Sequence, residues 1–129
     1  MRESVNAISA RGCTKMVMLF RPEHVAPILD GVKTQTRRLW DRPRVKAGNT
    51  YQARTTLLKR DSTFALITVK RVWKERLRDI SGIDAAREGY ASETAFWEAF
   101  ARINGKDVTQ ELLDTEVWAI EFEAEGVMA

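Results

Sequence analysis

The sequence predicts a small α+β domain, with a strongly curved sheet or small β-barrel flanked by short helices. Three observations lead there. The chain has 129 residues, 44% of them hydrophobic and 30% charged, which suits one globular domain with a buried core. Several segments alternate apolar and polar residues with the period of a strand. Between them lie short stretches with helical spacing, opened by Ser or Pro and closed by Gly, in an order that mixes strands and helices.

Taken in chain order, residues 1–15 have no sustained apolar pattern and read as a loose extension before a single domain at 16–125. Lys15-Met-Val-Met-Leu-Phe20 has strand length. Pro22 then suits the first turn of a helix, with Val25, Ile28 and Leu29 at helical spacing and Gly31 as its stop. Pro27 interrupts that pattern. Val32 to Trp40 reads as extended. Lys46-Ala-Gly-Asn49 is a turn, Thr50–Leu58 a strand, and Lys59–Ser62 a polar turn. Thr63–Trp73 alternates Ala65, Ile67 and Val69 against Phe64, Leu66 and Thr68, the mark of a long strand. Ser81 and Asp84 form a capping box before a helix that ends at Gly89. Ser92 opens a third helix with Phe96, Phe100 and Ile103 on its inner face, closed by Asn104-Gly105. Thr115–Glu123 reads as a last strand, and Trp118 is expected in the core with those three residues.

Charge is unevenly distributed. The net charge of +3 divides into +1 over residues 1–32, +11 over 33–78 and −9 over 79–129. A basic middle of this size hints at an anionic partner, RNA among them. Other classes are excluded. A single cysteine, Cys13, forms no intramolecular disulfide and fits a reducing, cytoplasmic setting. One Cys and one His do not make a Cys/His zinc site, and no metal or cofactor is implied. The longest apolar run, Met16–Phe20, is far too short to span a membrane. His24, in the first turn of the first helix, reads as a surface residue.

The chemistry concentrates in Gly31-Val-Lys-Thr-Gln-Thr-Arg-Arg38. A core strand would need a buried partner for each of these charges, so composition alone leaves a solvated edge strand and a ligand-facing one both open. With Phe20-Arg-Pro-Glu before it and Lys46-Ala-Gly-Asn-Thr50, Leu77-Arg-Asp-Ile80, Ala86-Arg-Glu-Gly-Tyr90 and Val117-Trp-Ala-Ile-Glu-Phe122 after it, the chain from Met18 to Glu123 resembles the ASCH domain of the PUA-like group. The resemblance implies a small curved β-barrel with flanking short helices.

Within that group the sequence is most similar to the small bacterial N4-acetylcytidine amidohydrolases, which cleave the acyl amide on the exocyclic amine of cytidine. The resemblance implies a metal-independent amidohydrolase acting on N4-acetylcytidine or related N4-acylated cytosines and cytidines. It assigns Lys33 as proton acceptor, Thr36 as nucleophile and Glu88 as proton donor. The chain departs from those enzymes in its fifteen-residue extension and its added Ser92–Asp114 helical region.

The residue chemistry agrees. A threonine hydroxyl needs a base, and a lysine serves once burial and neighbouring cations lower its pKa. Arg37 and Arg38 supply those cations and are candidates to hold substrate oxygens. Tyr51, Tyr90 and Trp40 are candidates to stack on a pyrimidine, the core being the alternative for each. The competing reading is a non-catalytic RNA-binding module, or a ribonuclease, motivated by the basic middle. The chain is expected to be a monomer or weak dimer.

Overall fold

The computed structural model describes residues 16–58 and 62–127; the extension at 1–15, with Cys13, and most of the turn at 59–62 lie outside them. The strands are β1 (Val17–Leu19), β2 (Gln35–Arg38), β3 (Thr50–Arg54), β4 (Thr63–Arg76) and β5 (Glu116–Gly126). The helices are α1 (Val25–Leu29), α2 (Gly82–Arg87), α3 (Glu93–Ile103) and α4 (Gln110–Asp114). The architecture is α+β, as expected. One five-stranded sheet has the order β1-β3-β4-β5-β2, with β1 parallel to β3 and every other pair antiparallel.

The sheet is not closed into a barrel by a strand ladder. Its two edges, β1 and β2, are instead joined by a side chain, the Arg38 guanidinium donating to the Leu19 carbonyl at 2.8 Å. The long β4 carries a register shift between Val69 and Arg71 where it faces β5, and such a bulge bends a strand and raises its twist.

Alternation along β5 puts side chains on both faces to use. Ile120 and Phe122 enter one buried cluster with Met18, Phe20, Ile28, Tyr51, Ile67 and Val69. Val117 enters a second with Leu77, Ile80, Phe96, Phe100 and Leu112, which covers the other face with helices.

Several boundaries differ from the sequence reading. β3 stops at Arg54 and leaves Leu57 and Leu58 exposed, whereas β4 runs on to Arg76. A fourth helix, α4, is capped by Thr109, whose hydroxyl accepts from Leu112 N; with Leu112 its only buried residue, it shows no apolar period. Ile103 and Trp118 are half-buried rather than core. The caps at Ser81 and Ser92 form as expected, each hydroxyl accepting the amide three residues on.

Two local devices position the β2 motif. Gly31, at φ +77°, turns the chain after α1 so that the Val32 and Lys33 amides both donate to the Pro27 carbonyl. Thr34 then bridges two elements: its amide donates to Arg87 O at 2.7 Å and its carbonyl accepts from Phe122 N. Gly89, at φ +101°, ends α2 directly after Glu88. A Cβ there would meet only Lys33 Cβ at 3.9 Å, so Gly89→Ala meets backbone strain without a clash. Urea unfolding should show a loss of about 1–2 kcal/mol, the penalty of a left-handed non-glycine residue.

Candidate functional site

Lys33, at the entrance to β2, is 1% exposed. Its ammonium carries three N–H donors, and all three are taken: by Gln35 O at 2.9 Å, Glu88 O at 3.1 Å and Glu88 Oε1 at 2.8 Å. Burial holds its pKa below the ordinary lysine value, Glu88 pulling the other way and Arg38 and Arg37 adding to the depression. Glu88, at the C-terminal end of α2, is 3% exposed and shares its second oxygen with Arg37 Nη1 at 2.9 Å.

Arg37 is the hub of a buried network. Its Nε meets Glu75 at 2.9 Å, its Nη1 also meets Gln35 Oε1 at 3.0 Å, and its Nη2 reaches Asp84 at 3.4 Å. Burial disfavours its charge, but the bonds to Glu75 and Glu88 outweigh this and its pKa is raised. Asp84 in turn accepts from Gln35 and Arg87, and Glu75 from the Trp73 indole. Lys33 and Arg37 are therefore tolerated inside the protein because β4 and α2 deliver carboxylates to both, Glu75 from β4 and Asp84 and Glu88 from α2 and its C-terminal end. Gln35, Thr36 and Arg37 are all buried, so the choice between a solvated and a ligand-facing strand falls away.

Alternation sends Thr36 and Arg38 to the other side of the strand. Thr36 Oγ1 accepts from Arg38 Nε at 3.2 Å. The Arg38 guanidinium lies over the Phe20 ring at 4.8 Å and near Trp40 at 5.9 Å. Surrounding protein pushes its pKa down to about 10, with Glu88 the one opposing influence.

These residues meet at a cavity of about 430 Å³, within the range of small-molecule sites. Lys33, Thr36, Glu88, Arg37, Arg38 and Tyr90 all line it, so β2 and α2 do bring the expected groups together. Trp40, Phe96 and Phe100 supply apolar wall. Tyr51 does not reach it. That residue is 2% exposed in the core beneath the sheet, and its hydroxyl accepts from the Lys46 amide at 2.8 Å, fixing the turn before β3. Among the described residues no group of three His, Cys, Asp or Glu side chains could hold a metal ion.

His24 corrects the sequence reading. It is part-buried in the cavity wall, its Nε2 3.0 Å from Tyr90 Oη and the two rings edge to face at 6.3 Å. Nothing in its spacing signals this, because Tyr90 lies just beyond the end of α2, 66 residues on. Burial first, then the charge on Lys33, lower the His24 pKa to about 4, with Glu23 opposing; burial also raises Tyr90. The imidazole is therefore neutral near pH 7. The unfolded chain protonates His24 near 6.5 and the folded one only near 4, so acid favours unfolding between those values. The melting temperature should fall from pH 7 to pH 4.5 more steeply in the wild type than in His24→Gln, and parallel curves would reject this.

The fold is an α+β unit with a polar cavity at the sheet edge, and it is similar to the fold of solved ASCH-domain proteins. The likeness is to several solved structures. A DUF984 protein of Enterococcus faecalis V583 superposes with a TM-score of 0.66 at 20% identity, over 86% of this chain and 76% of that one. The ASCH domain of Lactobacillus crispatus JV V101 gives 0.61 at 17% identity, over 87% and 80%. The ASCH protein of Zymomonas mobilis gives 0.56 at 16%, over 83% and 65%. No family model and no curated protein matches the sequence. No helix among the described residues is long and apolar enough to cross a membrane.

Proposed function

We propose that this protein is a metal-independent amidohydrolase that cleaves the N4-acyl amide of N4-acetylcytidine or a related N4-acylated cytosine or cytidine. One observation carries the reading: a buried Lys33–Glu88 pair, 2.8 Å apart, stands in the wall of a cavity that Thr36 also lines. Moving one proton from Lys33 to Glu88 makes a neutral amine and a carboxylic acid, the two states that the reaction needs. Burial of Lys33 favours that transfer.

The amine turns to Thr36 and takes the hydroxyl proton as Oγ1 bonds to the acyl carbon. The tetrahedral adduct collapses with cleavage of the C–N4 bond, and Glu88 protonates the departing amine. Water then attacks the acyl-threonine, giving a proton to Glu88. Thr36 recovers its own from Lys33 and the carboxylic acid leaves. Tyr90 and Trp40 are suited to flank the pyrimidine, and Arg37 holds Glu88 in place.

The RNA-binding reading rested on the basic middle, and several cations on and just after β4 have acidic partners. Lys70, Arg71, Lys74 and Arg78 pair with Glu123, Glu121, Glu116 and Asp114 across β4, β5 and α4. The test is direct: purified protein mixed with N4-acetylcytidine should lower its ultraviolet absorbance and yield cytidine and acetate in equal amounts. Labelled RNA bound at low salt without any such turnover would favour the binding module instead.

A further inference from the structure

Four cations line the cavity: Arg21, Lys33, Arg37 and Arg38. Their donors are not equally available. Lys33 has all three N–H groups on Gln35 and Glu88. Arg37 is held on Glu75, Gln35, Glu88 and Asp84. Arg21 is exposed just before the turn Pro22–His24. Arg38 differs from all three. It forms no ion pair with any described carboxylate, and only Nε and one Nη2 N–H are engaged, on Thr36 Oγ1 at 3.2 Å and Leu19 O at 2.8 Å. The Phe20 ring at 4.8 Å and the Trp40 ring at 5.9 Å fix its position. A guanidinium held in a polar cavity without a counter-ion, against a hydroxyl, is suited to negative charge that arises during a reaction.

We propose that Arg38 is the oxyanion-binding catalytic residue of this cavity, holding Thr36 Oγ1 and receiving the negative oxygen that forms when Thr36 adds to the acyl carbonyl. The proposal rests on Thr36 being the nucleophile. In the addition step the Thr36 proton passes to Lys33, the Oγ1–C bond forms, and the carbonyl π pair moves onto its oxygen. That oxygen is attached to the carbon bonded to Oγ1, so it lies within reach of the guanidinium already bound there. The charged hydrogen bond also favours ionisation of the hydroxyl itself. Collapse returns the electron pair to the carbonyl, so Arg38 gains and loses no proton. A nucleotide phosphate is a poorer occupant, because the phosphate lies at the opposite end of the ligand from the amide.

The experiment compares wild type, Arg38→Gln, Arg38→Lys and Arg38→Ala. On N4-acetylcytidine, Arg38→Gln should lower kcat about 100- to 1,000-fold with little change in KM, the loss typical of one oxyanion donor. Arg38→Lys should recover only part, and sub-denaturing guanidinium should restore Arg38→Ala turnover while leaving the wild type unchanged. A structural role alone would not give that rescue. Arg38→Gln keeping wild-type kcat overturns the proposal. A second arm needs no turnover: acetate should shift the Arg38 Nε–H resonance saturably in the wild type. If the wild type hydrolyses no acylated cytidine, the amidase reading fails and this titration decides alone. A saturable shift then keeps Arg38 as an oxyanion site, and no shift removes it.

Discussion

Lys33→Met should abolish turnover of N4-acetylcytidine while the protein still folds, with kcat down by about three or more orders of magnitude, as for loss of a catalytic base in a triad. Methionine suits the space of a lysine that is 1% exposed, so the stem of the side chain keeps its packing. Glu88 loses one bond at its carbonyl and one at its carboxylate, but the carboxylate keeps Arg37 Nη1 at 2.9 Å. The stability cost should therefore stay below the about 3–5 kcal/mol of orphaning a buried charge. Thr36→Ala and Glu88→Gln should be comparably inactive, and the double variants no worse than the singles, because the three groups act as one unit. The wild-type rate should rise with pH through an inflection below 10.5, the ordinary lysine value, because burial holds the Lys33 pKa down and only the neutral amine accepts a proton. Lys33→Met turning over substrate at the wild-type rate would remove Lys33 from the mechanism. An inflection at or above the ordinary value would remove burial as the source of its basicity at working pH.

That Lys33, Thr36 and Glu88 line one cavity was expected from the family resemblance alone; what the residues themselves marked were the two glycine stops, one before β2 and one after Glu88. Both stops have the positive φ that glycine permits, at Gly31 and Gly89. The burial of β2 was not legible. Its compensating carboxylates, Glu75, Asp84 and Glu88, lie 38, 47 and 51 residues beyond Arg37, and no local rule pairs them. His24 and Tyr90 escaped for the same reason. Tyr51 failed the opposite way: an aromatic on a strand next to a turn can face the ligand or the core, and register decides which. On β3 it faces the core, opposite Ile67.

The charge split changes meaning once register is known. In the sequence the +11 segment looked like a surface waiting for an anion. The antiparallel pairing of β4 with β5 sets Arg71 opposite Glu121, and Lys74 and Arg76 beside Glu116. Three cations of β4, Lys70, Arg71 and Lys74, thereby meet acids of β5 across one ladder. Exposed pairs of this kind add little stability, about 0–1 kcal/mol each. Their consequence is for recognition: Arg38, in the cavity wall and without a carboxylate partner among the described residues, differs from the paired cations of β4.

Arg37→Met should be the most destabilising single change in the site, and the reason is arithmetic of charge. The wild-type guanidinium, fully shielded from solvent, touches Glu75, Glu88 and Asp84. None of the three is left without a donor when it goes, since Trp73, Lys33, Gln35 and Arg87 remain in place. But three carboxylates would then share one buried ammonium and one half-exposed guanidinium. Removing the cation from such a network costs about 3–5 kcal/mol, or roughly 10–15 °C in Tm for a chain of this size. Arg37→Lys should recover only a fraction, because one ammonium does not span acceptors on β4 and α2 together. The pH dependence separates this account from a simple packing defect. Loss of the cation weakens the ionised form of the carboxylates around it relative to the wild type, so the variant loses more stability than the wild type as pH rises. The Tm gap between wild type and Arg37→Met should therefore widen from pH 5 to pH 8. A gap that stays constant would mean that Arg37 stabilises the protein through packing of its side chain and not through its charge.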